Sequence, residues 1–239
     1  MTVDGRPKKV AIITGASQGI GAGLVAGFRA AGYGVVGTAR SIEPVDYVDL
    51  VTVPGDIADP VTARRVTEHA LERFGRIDTL VNNAGLYIGK EFTNYTIADY
   101  DAVASVNLVG FLHMTQAVIG PMVDQRSGHI VNITTSLVEH ANSRSHAALA
   151  SLTKGGLAAV TRSLAMEYAS RGVRVNAVSL GIIRTPMHDP ASYAGMAALH
   201  PLGRLGEVED VVDGILYLER AGFVTGESLH IDGGQAAGH

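Results

Sequence analysis

The sequence contains no cysteine, which excludes disulfides, thiolate metal sites and cysteine nucleophiles together. Basic residues form no run longer than RPKK (6–9) and the net charge is −4, so a nucleic-acid partner is not expected. No apolar stretch approaches the roughly 20 residues of a membrane span, and no apolar signal-type segment follows the N-terminal charges. The expectation is a soluble, cytoplasmic protein with no membrane partner. Metal binding is not expected either, because His188 and His200, the pair that invites it, are separated by proline and flexible sequence.

What is present is apolar content, 46% of 239 residues, enough for a sizeable core. Short β-branched runs alternate with helical patterns. Strands are predicted over 9–14, 34–39, 50–56, 77–85, 129–136, 173–181 and 228–234, and helices over 19–32, 60–75, 98–123, about 146–170 and 207–220. The helix at 60–75 opens on proline and closes on glycine, the usual asymmetry. Repeated β-α-β units with continuous apolar strands predict an α/β, doubly wound parallel sheet covered on both faces. No linker or repeat interrupts the pattern, so residues 9–239 are expected to form a single domain behind a short tail, 1–8.

The stretch TGASQGIG (14–21) follows the first strand and opens the first helix. Gly15, Gly19 and Gly21 allow a tight turn that approaches a pyrophosphate at the helix N-terminus, with Ser17, Gln18 and Ile20 completing the turn. Together with NNAG (82–85), SVNLVG (105–110), VNAVSLGIIRTPM (175–187), HPLGRLGEVEDVVDGILYL (200–218) and VTGESLHIDGG (224–234), it makes the chain resemble a short-chain dehydrogenase/reductase from about residue 8 to 235. The resemblance implies a seven-stranded Rossmann-type sheet binding NAD(H) or NADP(H). It places Asp56 on the adenine edge beside Ile57, Asn83, Ala84 and Gly85 along the adenosine, and Ile183 and Thr185 on the nicotinamide carboxamide. It also implies a homodimer or homotetramer assembled through the long helices. At the end of the second strand, GTARS (37–41) has Ala39 where an acid would bind the ribose 2′-hydroxyl, and Arg40 beside it. A guanidinium suits a 2′-phosphate, so NADP(H) is expected over NAD(H).

The resembling family uses a tyrosine to move the substrate's proton, a lysine one turn on to lower that phenol's pKa and hold the ribose, a serine or threonine on the carbonyl, and an asparagine holding a water. Asn107 and Lys154 match; Thr135 or Ser136 fills the hydroxyl position; the tyrosine position is Ala150. Two substitutes for the phenol are open. With the helix running from 146, positions 146, 150 and 154 share a face, and His146 reaches the vacated space as acid or base. Alternatively, water held by Lys154 and the nearby hydroxyls fills it, and a cationic iminium substrate needs little protonation. Leu180 stands where proline usually precedes the glycine, leaving the loop freer or adding apolar surface. The segment 186–202, with Met187, Tyr193, Met196 and Leu199, is expected to close over a small, largely apolar substrate, with Tyr87 and Phe92 facing it. The reading is an NADP(H)-dependent ketone or imine reductase with non-standard proton delivery. Its rivals are a cofactor-binding protein without redox turnover, and one using the pocket for non-redox chemistry.

Overall fold

Every residue of VAIIT is buried in strand β1 (Val10–Thr14), as a strand covered on both faces requires. The computed structural model describes residues 9–143 and 145–238. β1 lies between β2 (Gly34–Ala39) and β5 (Thr79–Asn82), and the chain winds outward in both directions from it. On one side β2 pairs with β4 (Leu50–Pro54); on the other follow β6 (Gly128–Thr135), β7 (Val173–Leu180) and β8 (Ser228–Ile231). These seven strands are parallel. An eighth, the two-residue β3 (Asp46–Tyr47), runs antiparallel on β4 and was not anticipated. The Thr52 hydroxyl donates to the Glu43 carbonyl at 2.5 Å and accepts from the Val45 N–H at 2.7 Å, folding the segment back onto the edge.

Alternation along each strand divides the core in two. Val10, Ile12, Val36, Leu80, Ile130 and Val175 face helices α2 (Pro60–Phe74) and α4 (Phe111–Asp124). Ala11, Ile13, Val35, Val81, Val131 and Val178 face α1 (Gly19–Ala30) and α7 (Val208–Arg220). Helix α2 is delimited as expected: Asp59 caps the Val61 N–H, proline occupies the first turn, and Gly75 ends it in the left-handed region at φ 77°.

The helix expected over 98–123 is a continuous run of three pieces: α3 (Ile97–Ala104), a π-helical turn (Ser105–Gly110) and α4. By length and composition this run, Ile97–Asp124, is apolar enough to cross a membrane, contrary to the expectation from apolar runs alone. Its Val103, Met114, Val118 and Met122 are buried in the protein, while Ile97, Tyr100, Val109 and Leu112 are exposed.

Two polar networks thread the sheet. Asn82 and Asn132 are partners on adjacent strands; the Asn82 amide donates to Asn132 Oδ1 at 3.0 Å and to Thr115 at 3.2 Å, and the Asn132 amide donates to Thr161 at 2.9 Å. At the N-terminal ends of the strands, Glu219 of α7 accepts from Thr79 at 2.9 Å and Tyr33 at 3.3 Å, and meets His129 Nδ1 at 2.5 Å. Asn176 Nδ2 lies 3.0 Å from His129 Nε2. A neutral imidazole protonated on Nδ1 satisfies both neighbours. Burial pushes the His129 pKa down; burial pushes the Glu219 carboxyl up, but the His129 and Thr79 bonds and the Arg174 charge outweigh it and hold it low.

Candidate active site

A cleft of about 570 Å³ opens at the C-terminal ends of the parallel strands, where the winding reverses beside β1. The glycine turn forms one wall. Gly15 and Gly19 adopt φ values of 67° and 53°, which favour glycine, and a Cβ on Gly21 would lie 2.0 Å from the Gly15 carbonyl oxygen. The turn is braced from β5: the Asn83 amide donates to the Thr14 carbonyl at 2.8 Å, while the Thr14 hydroxyl accepts from the backbone N–H groups of Asn83 and Ala84. The second asparagine of NNAG thus shapes the turn, while the first belongs to the buried amide ladder.

All the expected cofactor residues line this one cleft: Gly15, Ser17, Gln18, Gly19, Ile20 and Gly21, then Arg40, Asp56 and Ile57, then Asn83, Ala84 and Gly85, and finally Lys154, Ile183 and Thr185. Arg40 is exposed beside Ala39 and has no carboxylate partner among the described residues, so its guanidinium is free for a phosphate. Asp56 accepts from the Ala58 N–H at 3.0 Å through one carboxylate oxygen. A turn only glycine permits, an exposed guanidinium and a lysine beyond them fit a nicotinamide dinucleotide.

At the opposite end, α5 (Ala148–Tyr168) presents Ala150 and Lys154 to the cleft. Lys154 Nζ donates to the Ile133 carbonyl at 2.7 Å, and burial pushes its pKa down to about 8. Asn107, held inward by the π-helical turn, is buried; its amide bonds the Leu86 backbone at both ends and Thr153 at 3.1 Å. The two candidate hydroxyls separate at the end of β6, where Thr135 is the last strand residue and Ser136 opens a 3-10 turn. Thr135 lines the cleft, whereas Ser136 is buried and donates to Gln235 at 2.7 Å.

His146 does not join the site. Helix α5 begins at Ala148, so the shared face of 146, 150 and 154 is incomplete. The His146 carbonyl accepts the hydroxyls of Tyr87 at 3.1 Å and Tyr95 at 3.4 Å, which hold it in the preceding loop, and its side chain is exposed outside the cleft lining. Phe92 is likewise exposed and away from the cleft, while Tyr87 lines it. In the covering segment Met187 and Met196 line the cleft, but Tyr193 lies beneath the Arg184 guanidinium, 4.8 Å from its ring centre. Leu180 adds apolar surface.

Two residues carry more than sequence reasoning assigned them. His200 is buried; its Nε2 accepts from the Ile182 N–H at 3.0 Å and its Nδ1 lies 3.1 Å from the Met196 carbonyl, tying the covering segment to the loop after β7. His188 lines the cleft itself. Among the described residues, no cluster of His, Asp or Glu is arranged to hold a metal.

A family model described as enoyl-(acyl carrier protein) reductase matches residues 15–236. The chain is 37% identical over 240 residues to the 3-oxoacyl-(acyl-carrier-protein) reductase FabG of Thermotoga maritima, covering 95% of this chain and 97% of that protein. It is also 37% identical over 239 residues to the L-xylulose reductase of Mus musculus, with 94% and 95% covered. Among solved structures, ElxO with NADP bound superposes with a TM-score of 0.89 at 27% identity, over 98% of this chain and all (100%) of that one.

Proposed function

Because the chain belongs to the short-chain dehydrogenase/reductase family, we propose that it is an NADP(H)-dependent reductase acting on a carbonyl or imine carbon of a small, largely apolar substrate. The observation that carries this reading is the single cleft: the glycine turn and the free Arg40 lie at one end, and Lys154, Thr135 and two methionines at the other. When bound, the reduced nicotinamide supplies hydride. The protein's own part is binding, orientation and proton management.

Arg40 and the glycine turn receive the phosphates, with the helix α1 N-terminus favouring their charge. Lys154, part-buried and carried at a lowered pKa, regains electrostatic favour once an anionic cofactor lies beside it. Thr135 offers its hydroxyl to the substrate oxygen or nitrogen. Met187, Met196 and Leu180 present adaptable apolar surface and exclude water from the reacting carbon. Retention of the nicotinamide-end residues favours turnover over mere binding, since a protein holding only the adenosine half has little use for them.

The test is consumption of NADPH, followed by absorbance, with a panel of ketones and cyclic imines and with NADH in parallel. Substrate-dependent oxidation that prefers NADPH is expected. Tight NADPH binding with no oxidation across the panel would instead favour a sensor or scaffold. The exposed Leu112, Leu152 and Met166 on the long helices are the surfaces through which a dimer or tetramer would form, and a monomer by light scattering would remove that part of the reading.

A further inference from the structure

Resting on the reductase reading, we propose that His188 is the acid–base group of this site, presented from the covering segment in place of the phenol absent at Ala150. The titratable groups lining the cleft narrow the choice. Lys154 is committed to the Ile133 carbonyl, and the Tyr87 hydroxyl donates to the His146 carbonyl. Burial and the neighbouring Tyr95 raise the Tyr87 pKa further, away from any useful range. Thr135 has no proton-transfer capacity near neutrality. Arg40 and Asp56 stand at the adenosine end. His188 alone combines a titration range near neutrality with a place in the lining and no ring hydrogen bond to any described residue.

Its backbone is well anchored although its ring is free. The His188 N–H donates to the Thr185 carbonyl at 3.1 Å, a turn that sets it next to the segment expected at the nicotinamide carboxamide. Beyond it the chain is tied down again by His200, bonded to the Ile182 N–H and beside the Met196 carbonyl. The two histidines of this segment therefore divide the labour: His200 is a fully partnered brace, and His188 hangs between two fixed points.

In the reducing direction a bound reduced nicotinamide would supply the hydride of the new C–H bond, and the C=O or C=N π pair would move onto the heteroatom. That heteroatom takes the proton from the protonated His188 ring, whose N–H bond breaks, and solvent water returns a proton to the ring. Burial lowers the His188 pKa. The ring is therefore mostly neutral near pH 7, so reduction quickens as pH falls, whereas alcohol oxidation, which needs the neutral base, quickens as it rises.

The experiment compares the parent, His188→Ala, Ala150→Tyr and the double variant, each with NADPH binding measured by fluorescence, turnover against pH, and turnover with added imidazole. Histidine NMR titration of the apoprotein supplies a readout independent of activity. A positioned acid contributes about 10²–10⁴ in rate. His188→Ala is therefore expected to lose about a hundredfold or more, to lose the acidic limb and to recover partly with imidazole, with NADPH affinity within about twofold of the parent. The His188 ring is expected to titrate below 6.5, at the pH of the parent's limb. In the Ala150→Tyr background the loss should shrink at least tenfold, because the phenol supplies the same proton. A parent that turns over equally well without His188, or an equal loss in both backgrounds, would overturn the assignment and leave the reductase reading standing. Turnover gained only with Ala150→Tyr would overturn the assignment too. Silence from all four proteins with NADPH bound would overturn the reading and the assignment together.

Discussion

Replacing Lys154 by methionine is expected to make the protein more stable near pH 7 while impairing its site. The ammonium is held at about 8 against an ordinary 10.5, and a tenfold change in proton affinity is worth about 1.4 kcal/mol, so carrying that charge costs the folded state about 3 kcal/mol. Methionine keeps much of the aliphatic stem but forfeits the bond to the Ile133 carbonyl, worth about 1 kcal/mol. The net gain near neutrality is about 2 kcal/mol, or roughly 4–8 °C in melting temperature for a chain of this size. The sign reverses with pH. Below 8 both folded and unfolded lysine are charged and the whole penalty is present; from 8 to 10.5 the unfolded state binds more protons, so parental stability rises; above 10.5 the penalty is gone. Urea unfolding of both proteins near pH 7 and near 10.5 tests this. A variant less stable than the parent near pH 7, or a difference that stays constant between the two conditions, would refute the argument.

Exchanging Ala39 for Asp together with Arg40 for Ala should weaken NADPH binding about 10–100-fold, the loss of one charged hydrogen-bonding partner, and improve NADH; titration by cofactor fluorescence measures both. Gly21→Ala drives a methyl to within 2.0 Å of the Gly15 carbonyl oxygen, so dinucleotide binding should disappear and stability fall by about 1–3 kcal/mol, checked by calorimetry. Glu219→Ala leaves the His129, Thr79 and Tyr33 donors without their acceptor and should destabilise by about 3–5 kcal/mol in chemical unfolding. NADPH affinity should be untouched, because that network lies at the other end of the strands.

The parallel sheet was legible because its signals are local. Apolar strands bounded by glycine and capped helices reproduce the observed elements to within a few residues at most ends. What stayed hidden depends on contacts distant in sequence. The start of α5 at Ala148 reflects Tyr87 and Tyr95 gripping a carbonyl 59 and 51 residues away, and no local cap announces it. Thr135 and Ser136 are equivalent as text; Gln235, 99 residues on, draws the second out of contention. The edge strand β3 escaped because two residues carry no periodicity. His188 read as half of a doubtful metal pair, since only the folded segment shows one histidine braced and the other free.

The amide ladder bears on how such a sheet finds its alignment. β5 and β6 are joined by a long helical crossover, with no tight turn to set their offset. A slip of one residue would be rejected at once, because it exchanges the two faces. A slip of two preserves the faces, but it sets Leu80 against Asn132 and Asn82 against Thr134. That misalignment separates Asn82 from Asn132 and strands amide groups in the core at about 1–3 kcal/mol each. The asparagines thus act as a proofreading key, penalising an error that the alternation of faces alone would let pass.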